Sequence, residues 1–519
     1  MNKNDFNHLR LKIIDIMYKC INYIYGLMIL AIIMTWICFT HIGFGGNSYY
    51  RNYLPAWILI PFGIIFIFGV LAFLERYSAS GKYLKYISLM FFILQIYSTW
   101  NYYFYTDWDS STLTMFADTL AHKEDISWMT GYFSRYPNNI FLAYIFSIIE
   151  KCVHNIGLHS MEYFSIIFVQ CIIANITGIL MFQIIKKLTN KIVFAYLGYI
   201  LYILLVGLSP WVSIPYSDSM GLFFPTMIYY LYIHEIKDKH TIMTWLLITL
   251  LAIIGYKIKP QIFILFIAII FSKLFSTIKT KKICKKSILG ILSGAIIAEL
   301  LINVTLSQVP LIIDHSQAFG IKHYFMMGMN PDSMGVYSED DVQFSASFSS
   351  VEERNTADMA KAVERVKQMG TYGVLKQYIR KTLTNYYDGT FCWAGEGEFF
   401  VKVLDEKNLP GCKLLRGLYY TKNHSDVGKY YPVWSNFEQM LWLSIIILNF
   451  ISVFVRKDIS TNVLMLGIIG LSLFELLFEA RARYLYIYVP LYIILAIYGI
   501  SFINQKISTK KISSKDSAV

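Results

Sequence analysis

Residues 54–74 read LPAWILIPFGIIFIFGVLAFL, twenty-one consecutive positions without a charge. At 1.5 Å per residue a helix of that length covers about 30 Å, the hydrocarbon thickness of a bilayer. A buried helix of a soluble protein would be shorter, or would keep a polar face. Comparable apolar runs cover 20–41, 84–103, 162–185, 193–210, 220–236, 242–256, 260–276, 287–308, 436–455, 461–479 and 484–503. Composition agrees: 56% of the 519 residues are hydrophobic and 15% charged, against roughly 25% charged in soluble domains. The pattern predicts an all-α polytopic membrane protein with about twelve transmembrane helices.

The net charge of +12 raises the question of nucleic acid, but the basic residues sit in short loops, where they act as orientation signals. They are Lys3, Arg10, Lys12 and Lys19; Lys82 and Lys85; Lys186, Lys187 and Lys191; Lys237 and Lys239; Lys279, Lys281, Lys282, Lys285 and Lys286; Arg456 and Lys457; and the tail Lys506, Lys510, Lys511 and Lys515. With twelve spans, all fall on one side, which predicts cytoplasmic termini in the plasma membrane. Heavy use of Ile, Asn, Lys and Tyr suggests an AT-rich bacterial genome. No cleavable signal peptide is expected, because the first apolar run has no small-residue cleavage site after it. Cys20, Cys38 and Cys171 read as apolar-segment residues, and only Cys392 and Cys412 share an extramembrane region.

This topology divides the chain into an N-terminal helix pair (1–80), a membrane core (81–308) with a first outer loop (105–161), an extracytoplasmic subdomain (309–435), C-terminal spans (436–503) and a basic tail (504–519). Segment 139–157 has only half a span of apolar residues. Crossing would also invert every later basic loop, so it is predicted to be an interfacial amphipathic helix, with Trp128, Tyr132 and Tyr136 as anchors. In the subdomain, Ser350 and Glu353 form a capping box before a helix ending near Gly370, and a second helix follows from Gly373 toward Tyr387.

Thr106-Asp107-Trp108-Asp109 closes the third span. Such a carboxylate pair serves as a general base or as ligands for a divalent cation such as Mg or Mn; on its own it also suits a solvated helix end. No other cofactor is indicated. Lys257 and Lys259 end the seventh span and Arg481 and Arg483 the eleventh. On the side where cations are scarce they cannot be orientation signals, and a phosphate would repay their cost near hydrocarbon, with headgroup snorkelling the alternative. Glu299 and Asn303 read as intramembrane polar groups with either a function or a helix–helix hydrogen bond to make. The Met-rich stretch His323–Asn330 reads as subdomain core or as the wall of an acceptor groove. Trp393 to Glu398 forms an acidic, glycine-loosened loop. His315, His323 and His424 lack ligand spacing, so no zinc site is expected.

The order of acidic pair, interfacial helices and Arg135-Tyr136-Pro137-Asn138-Asn139, with Pro215-Tyr216-Ser217-Asp218-Ser219 and Glu479-Ala480-Arg481-Ala482-Arg483-Tyr484 further on, resembles the GT-C superfamily of polytopic membrane glycosyltransferases. The nearest type is the family 39-like enzymes of Gram-positive bacteria. The acidic pair departs from the family pattern in following the third span instead of the first, and Asn138-Asn139 replaces the usual Pro and Leu. The resemblance implies transfer of a sugar from a polyprenyl-phosphate donor to a cell-envelope glycopolymer or glycolipid on the outer face, with inversion. Asp107 or Asp109 would be the base; Arg483, Arg481, Lys259 and Lys257 would hold the lipid phosphate; Arg135, Tyr136, Tyr216, Asp218 and Glu479 would contact substrate. Alternatives are a polysaccharide polymerase or O-antigen-ligase-type enzyme working through Arg354, Arg365 and Arg380, and a flippase or transporter of lipid-linked sugars.

Overall fold

The computed structural model describes residues 3–40, 53–77, 80–238, 242–281, 284–397, 400–403, 409–420, 429–455 and 459–516. Lys239, Lys282, Glu398, His424, Arg456 and Lys457 lie outside them, as do the side chains of Lys3, Arg10, Lys237, Glu396, Lys506, Lys510, Lys511 and Lys515.

Every predicted span falls on a helix. The chain begins with α1 (Lys3–Phe39), α2 (Ala56–Arg76) and α3 (Leu84–Tyr102). A short strand, β1 (Phe104–Thr106), leads into the first loop, which holds α4 (Trp108–Ala121), α5 (Thr130–Arg135) and α6 (Ile140–Asn155). Then come α7 (Glu162–Thr189), α8 (Ile192–Tyr202, continued by a π-helical turn to Gly207), α9 (Ser217–Gly221), α10 (Phe223–Asp238), α11 (Ile242–Ile258), α12 (Ile262–Thr280) and α13 (Lys285–Leu306). The second large loop carries α14 (Ile321–Gly328), α15 (Glu339–Ala346), α16 (Val351–Tyr386), β2 (Phe400–Val403) and α17 (Cys412–Tyr419). α18 (Tyr431–Ser452), α19 (Ile459–Leu477) and α20 (Val489–Asp516, entered through a 3₁₀ segment Ala482–Tyr488) complete the fold.

Among the described residues seven helices are long and apolar enough to cross a membrane, and Ile192–Gly207 and Ile242–Ile258 are shorter apolar helices. The α6 helix has 16 residues, short of the roughly 20 a span requires. The bundle is organised around α20, whose Leu491, Ile494, Leu495 and Ile497 are fully enclosed as it packs on α18, α7 and α8. The periphery is the reverse. Leu292, Ile296, Leu300 and Val304 on α13, and Trp57, Phe62, Ile65 and Phe73 on α2, are all more than half exposed. An apolar surface of that extent is stable only against hydrocarbon, so this is a multi-pass membrane protein. Glu299 and Asn303 are both exposed on α13, and among the described residues neither side chain is bonded to another helix.

The subdomain follows the predicted pattern. The Ser350 hydroxyl accepts from the Glu353 backbone N–H at 3.2 Å, and the long helix α16 is broken at Gly370, where φ is 59°. That left-handed step is one glycine takes readily. His323–Asn330 is core: His323, Met326, Met327 and Met329 are buried. Cys392 and Cys412 are buried and form no disulfide, the latter donating to the Asn101 carbonyl at 3.3 Å.

Candidate functional site

Four chain segments meet at one end of the bundle: the start of α4, the turn into α9, the end of α11, and the link between α19 and α20. Pairing of β1 with β2, Tyr105 opposite Lys402, ties the approach to α4 to the second large loop. Asp107 then caps α4, its Oδ1 accepting from the Trp108 N–H at 2.8 Å. Its carboxylate is exposed and occupied in ending a helix. Trp108 takes a positive φ of 60°, a strained setting for a bulky residue. That turn carries Asp109 inward.

Asp109 is half-buried and accepts from the Tyr216 hydroxyl at 3.1 Å. Tyr216 is anchored by its backbone N–H, which donates to Gln170 Oε1 at 3.2 Å, and its ring meets Trp108 edge-on at 4.8 Å. Burial, then the Asp109 charge, raises the Tyr216 phenol pKa well above its ordinary value. Tyr132 is affected in the same way, again by burial first and Asp109 second. Its hydroxyl also accepts from Asn139 Nδ2 at 2.7 Å. Burial and Asp109 also act on Tyr136, Tyr324 and Tyr337. Tyr216 and Tyr132 therefore bond to this carboxylate, and its charge is also felt at Tyr136 and, more weakly, at Tyr324 and Tyr337 of the second large loop. Sequence reasoning named Tyr136 and Tyr216, read Tyr132 and Tyr136 as anchors, included Tyr324 only within the Met-rich stretch His323–Asn330, and missed Tyr337, which no local signal marks.

One turn of chain beyond Tyr216, Asp218 is buried and bridges two cations: Lys259 Nζ on Oδ1 and Arg483 Nη1 on Oδ2 at 3.2 Å. The guanidinium carbon of Arg483 stands 4.7 Å over the Trp108 ring and 5.3 Å over Tyr216. Lys259 and Arg483 both stack on Tyr484. Burying three charges is tolerable only when they satisfy one another, and cations on aromatic faces gain further. Thus Asp109, Tyr216, Asp218, Lys259 and Arg483 form one connected cluster.

The other predicted residues are placed differently. Arg481 pairs with Glu479 at 3.4 Å beside the cluster. Arg135 is exposed, its carbonyl accepting from the Phe319 N–H at 3.0 Å, while its neighbour Tyr136 packs edge-on against Phe319. Lys257 is half-buried and joins none of the cluster's bonds among the described residues. Lys381 was not foreseen: its ammonium donates to the carbonyls of Gly328, Leu476 and Phe478. It thereby caps the end of α19 and docks α16 there. Burial lowers its pKa to about 7.

A family model described as conserved hypothetical integral membrane protein matches residues 13–502. The chain belongs to that family. No curated protein matches it. The match extends over the acidic pair, the Asp218 bridge and Arg483 alike, so this integral membrane protein family spans the whole site.

Proposed function

We propose that the protein is a GT-C-type membrane glycosyltransferase. It would move a sugar from a polyprenyl-phosphate donor to a cell-envelope glycan or glycolipid on the outer face of the cytoplasmic membrane, and have about twelve spans with both termini inside. The observation that carries the reading is the adjacency, through Tyr216 and Trp108, of a half-buried carboxylate and a buried Asp218–Lys259–Arg483 bridge. A base and a phosphate cradle are the two things such a reaction needs.

Asp109 is the better base, since Asp107 is engaged in capping. The acceptor hydroxyl gives its proton to the Asp109 carboxylate, and its oxygen attacks the anomeric carbon. The bond from that carbon to the phosphate oxygen breaks, and the electron pair leaves with polyprenyl phosphate. Arg483 and Lys259, two cations sharing one carboxylate, carry an excess positive charge that would meet that phosphate. The tyrosines around Asp109 suit a sugar, offering flat faces and hydroxyls together. A divalent cation at Asp107 and Asp109 is not required by this scheme.

The orientation is supported by the far ends of the helices that leave the site. α12 starts beside Lys259 and ends in Lys279, and α7 ends in Lys186 and Lys187. The polymerase or ligase alternative loses its key residues to structural work. Arg354 donates to the carbonyls of Ser316, Ala318, Ser345 and Phe348. Arg365 grips both oxygens of Asp341, and Arg380 reaches the Pro331 carbonyl.

The test is release of polyprenyl phosphate from polyprenyl-phosphate sugars by purified protein in lipid. Asp109→Asn should lower the rate by about 10²-fold or more, Asp107→Asn far less, and Arg483→Ala should raise the donor concentration needed. Full activity in Asp109→Asn would overturn the assignment.

A further inference from the structure

A second constellation lies at the opposite end of α4. His122 follows the last turn of that helix, His154 lies in the last turn of α6, His159 lies in the connection, and Glu162 opens α7. One ligand atom from each of His122, His154 and Glu162 falls within 4.8 Å of the others. Oε1 of Glu162 is 2.9 Å from His154 Nδ1 and 3.0 Å from His159 Nδ1. These two nitrogens are 3.2 Å apart. Oε2 of the same carboxylate is 3.5 Å from His122 Nε2. Tetrahedral zinc with bonds of about 2.0–2.2 Å has ligand–ligand edges near 3.3 Å, and the separations of Glu162 from His154 and from His122, 2.9 and 3.5 Å to its two oxygens, lie on either side of that value.

The surroundings also fit. His122 Nδ1 lies 2.8 Å from the Asp118 backbone carbonyl. Donating there leaves Nε2 as the lone-pair nitrogen facing Glu162, the second-shell arrangement that prepares a histidine for metal. Either a metal ion or a proton must lie between that lone pair and the carboxylate, so the experiment must separate the two. Glu150, one helical turn before His154, is buried, and its Oε2 has no hydrogen-bond partner among the described residues. The ligand carboxylate is buried while the imidazoles are partly exposed, so an ion could enter from water.

We propose that His122, His154 and Glu162 bind one divalent transition-metal ion of the zinc class, with His159 bonded to the Glu162 carboxylate beside it. Three protein ligands leave the fourth position of the tetrahedron to a water molecule. The position of the site says what it holds: the end of α4, the end of α6 and the head of α7. The thirteen residues from Asp109 to His122 place it about 20 Å from the carboxylate at the other end of α4, so the metal sets the pose of α4 and takes no part in chemistry there. The proposal is independent of the glycosyl-transfer reading.

The experiment uses the purified full chain in lipid nanodiscs, stripped with a chelator and dialysed against buffered micromolar Zn²⁺. Metal analysis should give one equivalent, and Co²⁺ in its place should show tetrahedral ligand-field absorption. His154→Ala and Glu162→Gln should lose at least nine-tenths of the bound metal. The more exposed His159→Gln, which leaves the fold least disturbed, should bind at least tenfold more weakly. Asp107→Asn and Asp109→Asn should bind as the wild type does. Zn²⁺ should raise the thermal midpoint of the wild type and not of Glu162→Gln. Substoichiometric binding by monodisperse wild-type protein, or undiminished binding in Glu162→Gln and His159→Gln, would overturn the site. So would stabilisation by protons alone, with no metal retained.

Discussion

Two aspartates separated by one residue have opposite fates. The Asp107 side chain is spent on the first free N–H of α4, while Asp109, turned by the left-handed Trp108, reaches Tyr216. Another contrast is His323. Its Nδ1 meets the Ser345 hydroxyl at 2.7 Å, which donates onward to Asp358 at 2.7 Å. Burial lowers the imidazole pKa from 6.5 to about 4, against the nearby Asp341 and with Arg354. The unfolded ring takes up a proton near 6.5, the folded one only near 4. Between these values the unfolded state binds more protons, so stability is complete above about pH 6.5 and falls as the pH drops toward 4, by on the order of 2–3 kcal/mol at most. Hydrogen-exchange protection factors in α14 and α16, corrected for the intrinsic rate at each pH, should fall from pH 7 to pH 5, and His323→Gln should flatten that dependence. Equal acid sensitivity in the variant would place the cause elsewhere.

At the scale of elements, the contact between α11 and α13 decides where Lys259 stands. Gly290 and Gly294, four residues apart, allow backbone-close packing of the kind small residues give in membranes. A Cβ on Gly290 would lie 2.5 Å from the Ile242 carbonyl oxygen, and one on Gly294 2.5 Å from that of Leu246. Gly294→Ala should therefore lower the thermal midpoint, at a cost of about 1–3 kcal/mol. Gly69→Ala on α2, whose Cβ would meet open space, should leave it unchanged or slightly raised. Equal effects would mean that the α11–α13 approach is not tight. In the subdomain, local signals sufficed: the Ser350 cap and the Gly370 break involve only near neighbours in the chain.

For the whole molecule the prediction concerns sidedness. In a background without the native cysteines, Trp128→Cys in the first large loop should react with a membrane-impermeant maleimide in intact cells. Lys279→Cys at the end of α12 should react only after permeabilisation. Both side chains are exposed, so accessibility reports the side of the membrane. The reverse pattern would invert the orientation and move the Asp109 cluster to the cytoplasm.

The positions of the long helices, the cap and break of α16 and the membrane class were legible in the sequence, because each depends on composition or on residues a few places apart. The candidate site was legible in part, since acids and arginines that break the apolar pattern stand out wherever they occur. Their partners were not. Nothing local says that Asp218 bridges Lys259 and Arg483, that Asp109 meets Tyr132 and Tyr216, or that Glu299 faces outward. The histidines show the same limit most clearly. Read along the chain, nothing joins His122 to His154, His159 and Glu162; only the packing of α4 against α6 and α7 brings them to one carboxylate. Helices in a membrane are specified by local hydrophobicity, whereas a site made of single side chains exists only once those helices have chosen their neighbours.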